Sequence, residues 1–158
     1  MTTTASLHAK LDALYEVWQG LSLNSPTAEF EKFANFFDEN CTAWLLSMRE
    51  IATPSIGRQG VIEGTKDILK DMDMQIKQRR VVDRFQSTSG SKISAEMSND
   101  LVVYGRELLA YPETATVAFN DKGLITDFKV YCCRSAVVEI IQDVTGEGPY
   151  KPKDDKCH

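Results

Sequence analysis

The segment that decides the fold is FNDKGLITDFKVYCC, residues 119–133. Its first part, Asn120-Asp121-Lys122-Gly123, is typical of a tight turn because asparagine, aspartate and glycine accept the backbone conformations that short connections need. The residues after the turn alternate in polarity, as expected of a strand with one buried face. The less polar set consists of Thr126, Phe128, Val130 and Cys132. The segment therefore predicts a hairpin whose second strand lines the protein interior with every other side chain.

Strand patterns also precede this hairpin, from residue 79 onward. The runs RRVVDRFQS, KISAEMSNDLVVYG and TATVAFN combine β-branched and aromatic residues with alternation, and short turns or loops separate them. Strands joined by short turns pair antiparallel, so the second half of the chain predicts an antiparallel meander with a loop at GRELLAYP. Residues 135–142 fit either an extension of the last strand or a capping helix.

Apolar residues recur at helical spacing in three earlier segments. Residues 5–20 carry one apolar stripe, a second helix is predicted from Ser25-Pro26 to residue 37, and a third begins at Gly57-Arg58. A short strand is predicted at 42–48, and the glycine pair Gly60 and Gly64 predicts close packing of the third helix against a neighbour. Helices followed by strands indicate an α+β domain at 1–145, with a loose tail at 146–158.

Charge and composition narrow the range of partners. The chain has 158 residues and a net charge of -5. Its one dense basic run is residues 77–80, which we expect to form the solvent-exposed start of a strand rather than a nucleic-acid site. No apolar run approaches the ~18 residues of a membrane span, and the N-terminus lacks a leader pattern. We therefore expect a soluble, cytoplasmic protein with no nucleic-acid or membrane partner.

The positions of the histidines and cysteines limit the catalytic and metal-binding chemistry that the chain can support. The two histidines, His8 and His158, lie near the termini and are expected to be mobile, which disfavours histidine catalysis and multi-histidine metal centres. The four cysteines lack the spacing of a zinc site, and the adjacent Cys132 and Cys133 point to opposite faces of a strand. We expect no metal, and an acid or base supplied by Asp, Glu, Tyr, Lys or Cys.

Several short pieces stand in a characteristic order and spacing. They are Phe36-Phe37-Asp38, Ile56-Gly57-Arg58, and Phe119-x-x-x-Gly123-Leu124-Ile125 before a strand ending Val130-Tyr131. With the order of helices and strands, they resemble the SnoaL-like branch of the nuclear transport factor two-like superfamily over residues 5–142. The sequence Cys133-Arg134-Ser135 that follows is similar to small fungal members.

The resemblance implies a cone-shaped α+β barrel, in which three N-terminal helices pack in a strongly curved antiparallel sheet with a pocket at the open end. It also implies homodimers through the outer sheet face, and enzymes without an organic cofactor. Two mechanisms of the family do not transfer. Scytalone dehydratase-like members use pocket histidines, and ketosteroid isomerase-like members carry aspartates on the strands that match 42–48 and 114–119, where this chain has none.

The resemblance implies a set of substrate-binding residues, of which the strand phase of the family gives those at 117–132 and the matching positions on the first and third helices give the others. They are Tyr15, Trp18, Arg58, Val117, Phe119, Thr126, Phe128, Val130 and Cys132. Trp18 fits the core equally well, and Arg58 fits a structural anchor for the third helix. Cys132 fits an unreactive pocket wall, because a thiolate would need a nearby cation or imidazole to lower its pKa.

The catalytic candidates are Glu96, Glu113, Tyr104 and Tyr111. A carboxyl that faces an apolar cavity has its pKa raised by desolvation, toward values that suit proton transfer near neutral pH. Glu96 would do this if it points inward, whereas an outward Glu96 would pair with Arg84. The two tyrosines would either donate to a developing oxyanion or cover the rim of the pocket.

Two functions remain open. One is a cofactor-free isomerase, cyclase or dehydratase that acts on an apolar natural-product intermediate by acid–base catalysis and by the shape of its pocket. The other is a non-catalytic module for small-molecule binding or dimerisation, with a cone filled by Phe85, Phe119, Phe128, Trp44 and methionines. The first implies a lipophilic small-molecule ligand.

Overall fold

The structure, a computed structural model, describes residues 4–47 and 53–148. Within these residues the helices are α1 (Thr4–Gln19), α2 (Thr27–Ala34), α3 (Gly57–Met72) and α4 (Ser135–Thr145). The strands are β1 (Phe37–Ser47), β2 (Ser55–Ile56), β3 (Met74–Gln78), β4 (Val81–Gln86), β5 (Lys92–Val103), β6 (Arg106–Phe119) and β7 (Ile125–Cys132). The open question about residues 135–142 is thereby decided in favour of a helix.

The described strands form one seven-stranded sheet in the order β2-β1-β7-β6-β5-β3, and β4 pairs with another part of β5. The sheet is strongly curled around the helices, which confirms the predicted α+β cone. It is mixed rather than purely antiparallel, because β1 runs parallel to β7. Most of the chain lies between these two strands, so no hairpin turn dictates their relative direction.

The core lies between the concave face of the sheet and the apolar faces of the first three helices. The helices contribute Leu7, Leu11, Leu14, Tyr15, Phe30, Phe33, Val61, Ile62 and Leu69, all buried. On β5 the odd-numbered residues from Ile93 to Val103 are buried, and those between them are exposed or half-buried. Each large apolar side chain removed from water contributes about 1.5–3 kcal/mol, so the buried apolar residues of these two patterns stabilise the fold strongly.

The hairpin turn forms as predicted. Asn120 Oδ1 accepts the backbone N–H groups of Lys122 and Leu124, each at 3.0 Å, and Gly123 adopts a φ of 74°. Lys10 Nζ donates to the Gly123 carbonyl at 2.9 Å, which fastens α1 to the turn. The local chemistry of the turn therefore also positions the first helix.

Helix α3 packs closely against its neighbours from its first residue. Gly57 has a φ of +69°, and a Cβ there would meet Glu39 O at 2.9 Å. The predicted close packing of Gly60 and Gly64 is confirmed, since Ser55 lies against both and a Cβ at Gly64 would collide with Ser55 Oγ. A larger residue at either position would push β2 away from the helix.

Some predicted boundaries are wrong. Residues 105–112, predicted as a loop, lie mostly in β6, which continues past a positive φ of 55° at Ala110 because Asp100 Oδ1 accepts that residue's N–H. The second helix ends at Ala34, since the chain turns into β1 at Phe37. Met48, the end of a predicted strand, and residues 149–158 of the predicted tail lie outside the described residues. No described helix has the length and apolar character needed to cross a membrane.

Candidate active site

A row of three inward-facing side chains crosses the middle of the sheet. Met97 on β5 is the register partner of Glu113 on β6, and Glu113 is the partner of Cys132 on β7. The next row pairs Asn99 with Tyr111. Cross-strand partners in antiparallel sheets lie about 4.5–5.5 Å apart at Cα, so these five side chains form one compact group.

Glu113 is the carboxyl of this group, and burial dominates its electrostatics. Asn99, whose side chain is fully buried, donates from Nδ2 to Glu113 Oε2. Burial raises the pKa of Glu113, and the hydrogen bond from Asn99 opposes this only in part, so the pKa lies above its ordinary value. A carboxyl of this kind can take up and return a proton at pH values closer to neutrality than an exposed glutamate.

Tyr15 approaches the group from helix α1. Its side chain is 1% exposed, and its hydroxyl has no hydrogen-bond partner among the described residues. Burial and the charge of Glu113 both raise the pKa of Tyr15, so its hydroxyl stays protonated and lies within electrostatic reach of the carboxyl. A buried hydroxyl without a partner is costly, and an oxygen of a bound molecule or of water would satisfy it.

Tyr111 and Cys132 form the wall beside Glu113. Tyr111 is buried in β6, and its hydroxyl donates to the Cys133 carbonyl at 2.8 Å, so it fixes the end of β7. Cys132 is half-buried and packs against the core, and burial raises the pKa of its thiol although a hydrogen bond with Tyr111 lowers it. The thiol is therefore protonated and is not activated as a nucleophile.

Helix α4 covers this end of the sheet. It starts directly after β7, beside the Tyr111 hydroxyl, and its Asp143 bonds to Arg106 Nη1 at 3.3 Å, at the start of β6. Val137 of α4 is buried, and Ile140 and Ile141 pack against the core. The helix therefore spans the part of β5 and β6 that carries Asn99 and Tyr111.

Two catalytic candidates lie elsewhere. Glu96 is exposed on the outer face, because β5 turns its odd-numbered residues inward, so the inward interpretation of Glu96 is wrong. Its expected partner in the outward case, Arg84, binds Asp12 instead. Tyr104 lies in a turn at a φ of 48°, and its hydroxyl donates to the Asp71 carbonyl at 3.1 Å. That contact holds a loop and does not reach Glu113.

The remaining predicted residues divide between the interior and structural contacts. The buried inward residues of β6 and β7 include Val117, Phe119, Phe128 and Val130. Thr126 lies at an irregularity where Ile125 takes the inward position, and its hydroxyl donates to the Ala118 carbonyl at 3.3 Å. Arg58 Nε donates to the Phe37 carbonyl at 2.8 Å, as a structural anchor would.

An aromatic cluster fills the interior two rows away from Glu113. Trp18 contacts Tyr15, Phe33 and Phe128 with ring centroids 5.4, 5.7 and 6.4 Å apart, and Phe37 contacts Phe128 at 5.8 Å. Phe85, expected to help fill the cone, is 51% exposed and in register with the outward Ser94, so that expectation is wrong. Trp44 is also outward, since it is the partner of Lys129 while its neighbour Ala43 faces inward with Phe128.

Sequence reasoning missed Asn99, Met97 and Arg79 in this region, and it misjudged His8. Asn99 and Met97 share the odd phase of β5, so the alternation that buries Ile93 could have found both. Arg79 was expected in a solvated strand entrance, but its side chain is 9% exposed and binds Asp12 on α1. His8, expected to be mobile, is half-buried in α1, where burial and then Arg84 lower its pKa.

Among the described residues, no three His, Cys, Asp or Glu side chains are grouped to hold a metal ion.

Comparisons with solved structures identify the fold. The chain is similar to a candidate polyketide cyclase from Xanthomonas campestris pv. campestris, with a TM-score of 0.63 and 15% identity, over 85% of this chain and 96% of that one. It is similar to a protein of ketosteroid isomerase-like fold from Catenulispora acidiphila, in complex with trimethylamine, with a TM-score of 0.57 and 14% identity, over 78% and 87% of the two chains.

A third similar structure is that of the epoxide hydrolase/cyclase-like enzyme SalBIII, which has a role in pyran ring formation in the polyether salinomycin. Its TM-score is 0.59 at 10% identity, over 84% of this chain and 94% of that one. No protein-family model matches the sequence, and no curated protein is similar to it. The chain thus has a cone-like α+β fold that it shares with the protein of ketosteroid isomerase-like fold, and this is the fold that the resemblance predicted.

Proposed function

We propose that this protein is a cofactor-independent enzyme of the isomerase or cyclase type, in which Glu113 transfers a proton on a lipophilic substrate held inside the cone. The observation that carries the proposal is the Glu113 carboxyl itself. It is half-buried on the inner face of the sheet, its pKa is raised by burial, and Asn99 fixes one of its oxygens. Such a carboxyl is costly to bury, and proton transfer is a reason for its presence there.

In this proposal each side chain of the group has one role. Glu113 removes a proton from a carbon or hydroxyl of the substrate and returns it at another position. The Tyr15 hydroxyl donates a hydrogen bond to the substrate oxygen on which charge develops. The Tyr111 hydroxyl already donates its hydrogen to the Cys133 carbonyl, so Tyr111 holds the end of β7 in place rather than binding the substrate. Cys132, with a protonated thiol, lines the site as an uncharged side chain.

The substrate class follows from the surroundings of Glu113 and from the proteins of the same fold. One apolar row, formed by Ala95, Ala115 and Val130, lies next to the Glu113 row, which suits a ring system with few polar groups. A candidate polyketide cyclase and an epoxide hydrolase/cyclase-like enzyme share the fold, which supports ring closure or isomerisation as the type of reaction. We retain a natural-product intermediate as the substrate.

The proposal can be tested without knowing the substrate. A lipophilic extract of the source cells is incubated in heavy water with wild type, Glu113→Gln or Glu96→Gln, and compounds are followed by mass spectrometry. An isomerisation that leaves the mass unchanged is detected by its change in chromatographic retention time, and deuterium enters the product where the Glu113 carboxyl exchanges with heavy water before it returns the proton. We expect one compound to change with wild type and with Glu96→Gln, the outer-face control, but not with Glu113→Gln. Equal conversion by Glu113→Gln, or no conversion by wild type, would contradict the proposal.

A second candidate function is a binding or dimerisation module with a filled cone. The aromatic cluster around Trp18 favours it, because these rings occupy a large part of the interior. Native mass spectrometry of protein from its own source separates the two: a retained lipophilic mass supports an open site, and a ligand-free dimer supports the module. A homodimer through the outer sheet face and a cytoplasmic location remain predictions, which the same spectrum and cell fractionation test.

A further inference from the structure

Arg79, between β3 and β4, is the most buried charged group near the proposed site that the proposed mechanism does not use. Its side chain is 9% exposed. Nη1 donates to Asp12 Oδ1 at 2.7 Å, Nε donates to Met97 Sδ at 3.1 Å, and Cζ lies 4.5 Å from the centroid of the Tyr15 ring. Nη2 is buried and has no hydrogen-bond partner among the described residues.

The direction of the unpartnered group follows from the geometry of guanidinium. Nε and Nη2 form one edge of the planar fork and present parallel N–H groups, the arrangement that carboxylates bind in a bidentate manner. Nε on this edge points to Met97, whose side chain is buried in the row that contains Glu113. The free edge of Arg79 therefore faces the interior, where the hydrogen bond it makes with the described residues is to a thioether, a weak acceptor.

The charge around Arg79 also favours an anion. Asp12 accepts hydrogen bonds from Arg79 and, at 3.0 Å, from Arg84. One carboxylate thus faces two guanidinium groups and leaves an excess of one positive charge. Arg84 is 36% exposed and screened by solvent, whereas Arg79 is enclosed, so most of the excess positive charge acts inside. Glu113, the carboxyl nearest in the group, is hydrogen-bonded to Asn99.

We propose that Arg79 binds a carboxylate of the substrate through its Nε–Nη2 edge, so the substrate is a lipophilic carboxylic acid and not a neutral compound. The flexible side chain of Met97 moves aside as the carboxylate enters. Since Met97 and Glu113 are direct partners, the bound carboxylate lies about one strand spacing, ~5 Å, from the Glu113 side chain. The reacting atom is then a few bonds away from the acid group. This inference rests on the proposed function for its setting, but its test does not require turnover.

The test compares 2-naphthylacetate with its neutral isostere 2-naphthylacetamide, by calorimetric titration at neutral pH. We expect wild type to bind the acid at least about tenfold more tightly than the amide, since charge-assisted hydrogen bonds exceed neutral ones. Arg79→Met and Arg79→Lys should lose this preference, the second because an ammonium lacks the fork. Arg84→Gln, which removes the exposed partner of Asp12, is the matched control and should keep it. Equal binding of the two probes, no binding of the acid, or a preference that survives in Arg79→Met would overturn the proposal.

A second measurement needs no variant at Arg79 and covers the case in which that variant does not fold. In wild-type protein labelled with ¹⁵N-arginine, the Nε–H resonance of the buried arginine should shift on addition of the acid and stay unchanged with the amide. An unchanged resonance with the acid overturns the proposal. Glu113→Gln should keep the acid preference. A retained preference without any conversion in the heavy-water experiment would therefore reject the proposed function alone, and conversion of a neutral compound without acid preference would reject this inference alone.

Discussion

Asn99 and Glu113, which belong to adjacent rows of the β5–β6 ladder, are joined by a diagonal hydrogen bond from the amide nitrogen to the carboxylate. Asn99 is fully buried, so its amide has no access to bulk water, and Glu113 gives it an acceptor. The pair therefore holds the carboxyl in one orientation and limits how far burial can raise its pKa. Orientation and moderate basicity are what a proton-transferring carboxyl requires.

The first prediction concerns pH and stability. The folded-state pKa of Glu113 lies above its ordinary value of 4.5, so between the two values the folded protein binds more protons than the unfolded chain. Stability of wild type therefore falls as pH rises through that interval. Glu113→Gln removes this titration and keeps an acceptor for Asn99. We expect it to melt near wild type at pH 4 and about 2–4 °C higher at neutral pH, measured by calorimetry.

Glu96→Gln is the control for this experiment, because Glu96 is exposed on the outer face. Its melting temperature should follow that of wild type across the same pH range. A Glu113→Gln variant that is less stable than wild type at neutral pH would show that the carboxylate is stabilised where it lies, contrary to the account.

The second prediction concerns Asn99→Leu. The substitution removes the hydrogen bond that lowers the pKa of Glu113, so the pKa rises further. If Glu113 acts as a base, the pH at which turnover reaches half its maximum should move upward, with the converted compound from the heavy-water experiment as substrate. An unchanged pH profile with merely lower stability would assign Asn99 a structural role.

The third prediction compares two buried tyrosines. The Tyr15 hydroxyl has no partner among the described residues, so Tyr15→Phe should leave the free energy of unfolding unchanged or raise it by about 1 kcal/mol. Tyr111→Phe loses the bond to Cys133 O and should lower it by about 1 kcal/mol. Turnover should fall about 10–100-fold in Tyr15→Phe if its hydroxyl stabilises developing charge. Chemical denaturation and rate measurements on both variants check the pair, and a clear loss of stability in Tyr15→Phe would contradict the unpartnered hydroxyl.

The fourth prediction concerns Asp12 at acid pH. Burial raises the pKa of Asp12, but the hydrogen bonds and charges of Arg79 and Arg84 outweigh this and lower it below its ordinary value of 3.8. The contribution of this carboxylate is therefore present above that pH and is lost as pH falls through the depressed folded-state value. Asp12→Asn should reduce stability at neutral pH and flatten its decline below pH 4, in denaturation curves recorded at each pH. An equally steep decline in the variant would show that other groups cause it.

Local sequence patterns predicted the hairpin and most of the inward-facing residues of β7. Asn120 accepts a backbone hydrogen bond within the turn, and Gly123 adopts the positive φ that the turn needs. Phe128 and Val130 are buried, as the alternation of the strand predicts. The phase of β5 was also readable, since Ile93, Ala95, Met97 and Leu101 share it. Glu96 was a catalytic candidate because it is a carboxyl in the middle of a strand, but the even-numbered residues of β5 face outward.

Contacts between residues far apart along the chain could not be predicted from the sequence. Arg79 is buried because α1 places Asp12 and Tyr15 against it, although Asp12 lies 67 residues away along the chain. Strand β3 buries Ile76 alone, so MQIKQ carries little alternation to read. The parallel pairing of β1 with β7 joins strands that are far apart along the chain, and no local pattern in either strand specifies it.

The central claim is that Glu113 is a desolvated carboxyl on the inner face of the cone. The most direct test is the titration of its side-chain carboxyl by ¹³C NMR in protein labelled at glutamate, with Glu113→Gln to assign the resonance. The account predicts a midpoint clearly above 4.5 for this carboxyl. A midpoint at or below 4.5 would mean that water or a positive charge already stabilises the ion, and would contradict the account.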